Sequence, residues 1–155
     1  MNIESIVKKL NLLPHPEGGF YSETYRSEIT IPGMDKKLMT SIYFLLTSEN
    51  VSKFHRIKSD ELWFFHHGSP LIVHTLTKNG HIQTKVGSNL FENERPYFLV
   101  PKDTIFGSSV LNKNSYSLVS CVVAPGFEFS DFELFSFSDL IEKFPLNEDI
   151  IRKLT

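Results

Sequence analysis

The chain is poor in the features that mark several protein classes. It holds one cysteine, Cys121, so no disulfide can form within it, and a small scaffold stapled by disulfides is excluded. Cys121 lies in the apolar run Ser120-Cys121-Val122-Val123, the setting of a buried, inert thiol. No apolar run approaches the ~20 residues that a membrane-spanning helix needs. The residues up to Leu13 carry Glu4, Lys8 and Lys9 and lack the apolar centre of a secretory signal, so a cytoplasmic location is expected. Basic runs are also missing, and 16 Lys and Arg against 18 Asp and Glu leave a net charge of −2. Nucleic-acid binding rests on clustered cations that displace counterions, so neither nucleic acid nor a membrane is an expected partner.

What is present is ordinary in bulk. The 155 residues suffice for one domain with a sizeable core. Hydrophobic residues make up 41% and charged residues 22%, as in soluble globular proteins. The 14 phenylalanines are read as core packing.

Ile3, Ile6, Val7 and Leu10 recur at helical spacing, which predicts a short helix over 3–12 that Pro14 and Pro16 end. From about residue 19 to 135 the pattern becomes short apolar runs between turn residues. Strands are expected at Gly19–Arg26, Ser41–Leu46, Glu61–His66, Leu71–Thr77, Gln83–Val86, Tyr97–Val100 and Ser117–Val123. Asn79-Gly80 predicts a hairpin through a type I′ turn. Ser138 is expected to cap a helix over 139–144, and Asn147 one over 148–154, with Pro145 between them. The organisation is a single domain over 1–155: an all-β sandwich or barrel over about 19–135 with helical ends.

The densest chemistry is in Phe54-His55-Arg56-Ile57-Lys58-Ser59-Asp60-Glu61-Leu62-Trp63-Phe64-Phe65-His66-His67-Gly68. His55 and Glu61 are candidate ligands of a divalent metal, through imidazole nitrogen and carboxylate oxygen. They are equally candidates for proton transfer. Strand alternation sends Trp63 and Phe65 to the same face as Glu61, which sets a carboxylate beside an aromatic wall and raises its pKa. A histidine titrates near neutrality. A structural His–Glu hydrogen bond in a crowded core is the competing reading.

These residues resemble the first motif of the cupin superfamily, Gly-x5-His-x-His-x3–4-Glu-x6-Gly. His55, Glu61 and Gly68 fit its spacing, and Ile57 stands at the second histidine. Val100-Pro101-Lys102-Asp103-Thr104-Ile105-Phe106 resembles the second motif through Pro101, with Asp103 at its glycine and Phe106 at its histidine. Two of the four ligand positions are thus apolar. The chain is also similar almost end to end to the uncharacterised RmlC-like family called cupin type 5. The pieces include Leu13-Pro14-His15-Pro16-Glu17-Gly18-Gly19, Glu23-Thr24-Tyr25-Arg26-Ser27, Ser59-Asp60-Glu61-Leu62-Trp63 and Val122-Val123-Ala124-Pro125-Gly126-Phe127. Tyr97 and Ile105 depart from the glutamine and tryptophan usual at those positions.

The resemblance implies an all-β double-stranded β-helix, the jelly-roll cupin barrel, with short terminal helices. It also implies a homodimer and a small-molecule pocket in the barrel mouth. The expected function is binding of a small polar ligand, sugar- or nucleotide-like, with metal-independent acid–base isomerisation as the favoured chemistry. His55 and Glu61 are its candidate catalytic residues, and Tyr43, Trp63, Phe65, Phe106 and Glu133 its candidate ligand contacts. No cofactor is expected, His55 and Glu61 being weak metal candidates. A metal enzyme with a reduced ligand set and a non-enzymatic interaction protein are the alternatives. His15-Pro16-Glu17-Gly18-Gly19 reads as a rigid turn feeding the first strand, or else as a loop carrying binding groups. Arg56 is expected to turn away from His55 into an ion pair or an interface, and His66 and His67 to be exposed turn residues.

Overall fold

A computed structural model describes residues 2–155. Eleven strands form two antiparallel sheets. They are β1 (Leu13–Pro14), β2 (Phe20–Arg26), β3 (Thr40–Thr47), β4 (Val51–Arg56), β5 (Asp60–Gly68), β6 (Leu71–Thr77), β7 (Gly80–Val86), β8 (Tyr97–Val100), β9 (Ile105–Val110), β10 (Tyr116–Ala124) and β11 (Glu133–Leu134). The first sheet runs β1-β2-β3-β10-β5-β8 and the second β11-β4-β9-β6-β7. This is the jelly-roll arrangement of a cupin, with helices α1 (Ile3–Lys9), α2 (Phe137–Ile141) and α3 (Glu148–Lys153) at the ends.

Alternation divides the side chains into three layers. Phe44 and Leu46 of β3, Trp63 of β5, Val73 of β6, Phe106 of β9 and Val119 of β10 point inward and pack together between the sheets. On the outer face of the first sheet, Leu45 and Tyr116 are covered by Ile6 of α1 and by Leu12. On the outer face of the second sheet, Phe54, Leu76 and Ile105 are covered by Phe135, Leu140, Ile151 and Leu154.

Strands Leu71–Thr77 and Tyr97–Val100 form as the sequence pattern predicts, and the other expected strands differ at their ends. β1, β4, β9 and β11 were not expected: β1 and β11 are two residues each, β9 is buried on both faces, and a bulge breaks the alternation of β4. The β6–β7 hairpin forms with Thr77 opposite Gly80, so Lys78 and Asn79 make the turn. Gly80 takes a positive φ of 90° and Asn79 does not, which replaces the expected type I′ turn with one closed by a glycine. The expected cap at Ser138 lies at Ser136 instead, whose side chain closes a capping box with Asp139, so α2 begins earlier. Asn147 precedes α3 but makes no capping hydrogen bond through its side chain.

Candidate functional site

One end of the barrel is filled by the Trp63–Phe106 layer. The other end is a cavity of about 400 Å³. Phe44 and Cys121 belong to both regions and form the boundary between them. β2, β3, β4, β5 and β10 supply the walls, together with the turn before β2 and the segment after β10.

Two backbone features bring the polar groups together. Relative to β9, β4 is bulged between Ser52 and His55. Three residues apart on a regular strand, these side chains would face opposite ways; the bulge turns both onto one carboxyl. That carboxyl belongs to Glu17. Ser52 Oγ donates to Glu17 Oε1 at 2.7 Å, and His55 Nε2 lies 3.0 Å from Glu17 Oε2. The second feature is the turn over residues 15–19. Gly18 N–H donates to the His15 carbonyl, and Lys53 N–H donates to the Glu17 carbonyl at 2.7 Å. Gly18 has φ +110°, and a Cβ there would lie 2.0 Å from the Val51 carbonyl oxygen. Only glycine lets the turn seat on β4 and aim Glu17 inward.

The proton inventory of the pair follows from its hydrogen bonds. His55 Nδ1 is 2.7 Å from the Lys53 carbonyl, an acceptor, so Nδ1 carries a proton. A neutral imidazole then presents a bare Nε2, and two acceptors do not approach to 3.0 Å without a proton between them. Glu17 and His55 therefore share one. Burial raises the Glu17 carboxyl above its ordinary range, opposed by His15 and Ser52. Burial lowers His55 to about 4, opposed by the bond to Lys53. Both directions favour the uncharged pair. His15 is also lowered, first by burial, with Glu17 raising it and His55 lowering it further.

Glu61 is buried, with 8% exposed, and lines the same cavity. Burial pushes its carboxyl up to about 8, the nearby Glu17 carboxyl adds to the rise, and a hydrogen bond with Cys121 opposes it. Burial likewise raises the Cys121 thiol well above its ordinary value, with Glu61 and Glu17 contributing. Cys121 is therefore an uncharged thiol.

Of the residues the sequence singled out, the cavity gathers His55 and Glu61. Trp63 and Phe106 sit in the packed layer behind them, the Phe106 ring 4.3 Å from the His55 ring by centroids. Phe65 packs against that layer. Tyr43 is one residue out of phase with Ile42 and Phe44, so it lies on the outer face beneath α1. Glu133 is half exposed on β11 and accepts from Arg56 Nε and Nη2 at 3.0 and 2.6 Å, outside the cavity lining. His66 and His67 are exposed, as expected, but on the end of β5 rather than in a turn; His67 stacks on Tyr116, its Nδ1 2.7 Å from the Tyr116 hydroxyl.

Missing from the sequence-based catalytic residues are His15 and Glu17. The segment His15–Gly19 does serve as a turn, and it also delivers two of the buried polar groups. Its signal was the pair of glycines directly after a carboxylate. Sequence spacing could not reveal that the turn packs on a bulge some 35 residues away.

The donor set does not match a cupin metal centre. Ile57 and Phe106 occupy two of the four ligand positions, and both His55 nitrogens are engaged. Among the described residues, no three His, Cys, Asp or Glu side chains converge as metal ligands.

The sequence model of the "Cupin superfamily (DUF985)" family matches residues 4–135. This chain belongs to that family. Protein SO0799 from Shewanella oneidensis has a similar structure, with a TM-score of 0.93 and 44% identity over 100% of this chain and 98% of its own. A hypothetical protein from Leishmania major gives a TM-score of 0.94 and 38% identity, covering 100% and 99%. The uncharacterized protein YML079W of Saccharomyces cerevisiae is 26% identical, over 84% of this chain and 73% of its own length. An oxalate decarboxylase variant from Bacillus subtilis shares the fold, at a TM-score of 0.59 and 14% identity over 96% of this chain and 38% of its own. Among the described residues no helix is long and apolar enough to cross a membrane.

Proposed function

We propose that this cupin binds a small polar ligand in the cavity at the open end of its barrel and moves a proton on it without a metal. In this reading His55 is the proton carrier, its Nε2 passing from Glu17 to the ligand as the ligand enters beside that hydrogen bond; Glu17 holds the ring until then, and Glu61 is a second acid or base. The observation that carries the reading is the shared proton: His55 Nδ1 is held by the Lys53 carbonyl while Nε2 meets Glu17 at 3.0 Å in a buried, largely apolar chamber. A carboxyl near 8 and an imidazole that exchanges a proton with its partner suit acid–base isomerisation near neutral pH.

A thermal-shift screen of sugars, nucleotide sugars and hydroxy acids tests the binding, because a ligand of the native state must raise Tm. Binders are then incubated in deuterium oxide. Expected is deuterium on a carbon of the ligand, lost in His55→Gln. Binding that persists unchanged in both His55→Gln and Glu61→Gln contradicts the site. Near-stoichiometric metal in the purified protein, removed by His55→Ala, would replace this reading with a metal-dependent one. The working form is taken as a homodimer, as the family resemblance implies, and as cytoplasmic; a monomer in sedimentation would contradict the dimer.

A further inference from the structure

We propose that the ligand of this cavity is a small organic cation, its ammonium seated between the Glu61 carboxyl and the aromatic lip formed by Phe127, Phe129 and Phe132. This rests on the reading of the cavity as the ligand site. Four carboxyl groups line it, Glu17, Glu23, Glu61 and Glu128. The one Lys or Arg among the described lining residues is Arg26, and its guanidinium is already spent. Nε and Nη2 donate to the two oxygens of Glu23 at 3.0 and 2.8 Å. Nη1 donates to Glu128 at 3.0 Å, and Nη2 also to the Phe127 carbonyl at 3.1 Å. Four of its five N–H groups thus have partners, and an anion finds a single Nη1–H on a guanidinium whose charge is already matched by two carboxylates. The two lining histidines offer no charge, since burial holds both below their ordinary value. An anion entering this chamber meets no free cation.

A cation meets two suitable groups. Glu61 is more than nine-tenths buried and lines the chamber; burial holds its carboxyl up at about 8 in the empty cavity, and an ammonium beside it favours the charged form. Glu23 and Glu128 are paired with Arg26 and Glu17 is bonded to Ser52 and His55, whereas Glu61 has no ion-pair partner among the described residues, its close polar neighbour being the Cys121 thiol. The lip supplies π faces: the centroids of Phe127 and Phe129 are 4.9 Å apart, and those of Phe129 and Phe132 are 6.2 Å apart. An ammonium within ~6 Å of such a ring is attracted by its quadrupole, most strongly where water is excluded. Glu128 and Arg26 hold the lip at one side, and Asp131 with Lys36 at the other.

Three probes of one shape separate the possibilities: benzylammonium, benzyl alcohol and benzoate, titrated calorimetrically into the full chain at matched ionic strength. Expected is binding of benzylammonium about tenfold tighter than of either analogue, weakened at least about fivefold in Glu61→Gln and also in Phe129→Leu. Phe129 is half exposed, so its variant should fold even where a deeper change would not. Benzoate or benzyl alcohol binding as tightly as the cation overturns the inference, as does an unchanged affinity in Glu61→Gln or no binding by any probe. An uncharged or anionic ligand from the thermal-shift screen that His55→Gln abolishes would sink the cation while leaving the cavity as the functional site.

Discussion

His55 and His74 lie on opposite faces of the same five-stranded sheet, and burial lowers both, to about 4 and about 3. On the inner face, His55 meets a carboxyl and a cavity. On the outer face, beneath the C-terminal helices, His74 Nδ1 is 2.9 Å from His81 Nε2, and His74 Nε2 is 2.9 Å from Ser109 Oγ. The rings of His74 and His81 stack at 5.1 Å. Neutral rings satisfy that chain completely, each nitrogen of His74 having one partner. The inner cluster differs because Glu17 brings a second titratable group within reach of the same proton. A buried histidine is therefore uninformative by itself; its partner's chemistry and the empty volume beside it mark the candidate site.

The inner cluster depends on backbone geometry that the outer one does not need. Gly18→Ala should have the largest effect. It places a Cβ 2.0 Å from a backbone oxygen at a φ of +110°, so the turn must leave β4. Urea denaturation should show a loss beyond the ~1–3 kcal/mol of backbone strain alone. The control Gly33→Ala, with nothing within 4 Å of its Cβ, should cost far less. Next in size is Glu17→Ala, which strands Ser52 Oγ and His55 Nε2. At about 1–3 kcal/mol for each stranded group, the same measurement should register a clear loss. A neutral result would mean that water replaces the carboxyl without penalty.

The pH dependence of stability separates the faces further. Both His55 and His74 have folded pKa values below their ordinary 6.5. Below pH 6.5 the unfolded chain takes up protons that the folded chain refuses, so stability falls as pH drops from 6.5 toward 4 and 3. His74→Gln and His55→Gln should each flatten part of this acid limb in chemical denaturation. His55→Gln alone should also abolish the ligand-dependent rise in Tm. Glu61 has the opposite sign. Its folded pKa near 8 exceeds the ordinary 4.5, so its protonated form supports the fold below pH 4.5, and that support is lost as pH rises to 8. Glu61→Gln should therefore be more stable than wild type, by a margin that widens from pH 4.5 to 8 and then stays level. The smallest effect belongs to Arg56→Ala. Its bond to Glu133 is exposed, so a change of about 0–1 kcal/mol and no change in ligand affinity are expected.

The sequence made the barrel legible through its period-two strands and turn residues, and it made His55 and Glu61 legible through their spacing. Other parts were hidden for physical reasons. β9 is covered on both faces and β4 is bulged, so neither carries an alternating signal. Tyr43 is a plausible pocket residue by type, but a one-residue phase on β3 puts it on the far side of the sheet. Phe106, which stands at a ligand position of the cupin motif, packs behind His55 instead of bounding the cavity. Glu17 became visible only when a bulge and a glycine turn, distant in sequence, were seen to meet.

The most direct test of the account is a long-range ¹H–¹⁵N correlation spectrum of the histidine rings, before and after saturation with the tightest compound from the thermal-shift screen. The account predicts a neutral, Nδ1-protonated His55 in the free protein. Ligand should shift His15 and His55 while His74 and His81 stay in place. Ligand-induced shifts confined to His74 and His81, or a His55 ring indifferent to saturating ligand, would contradict it.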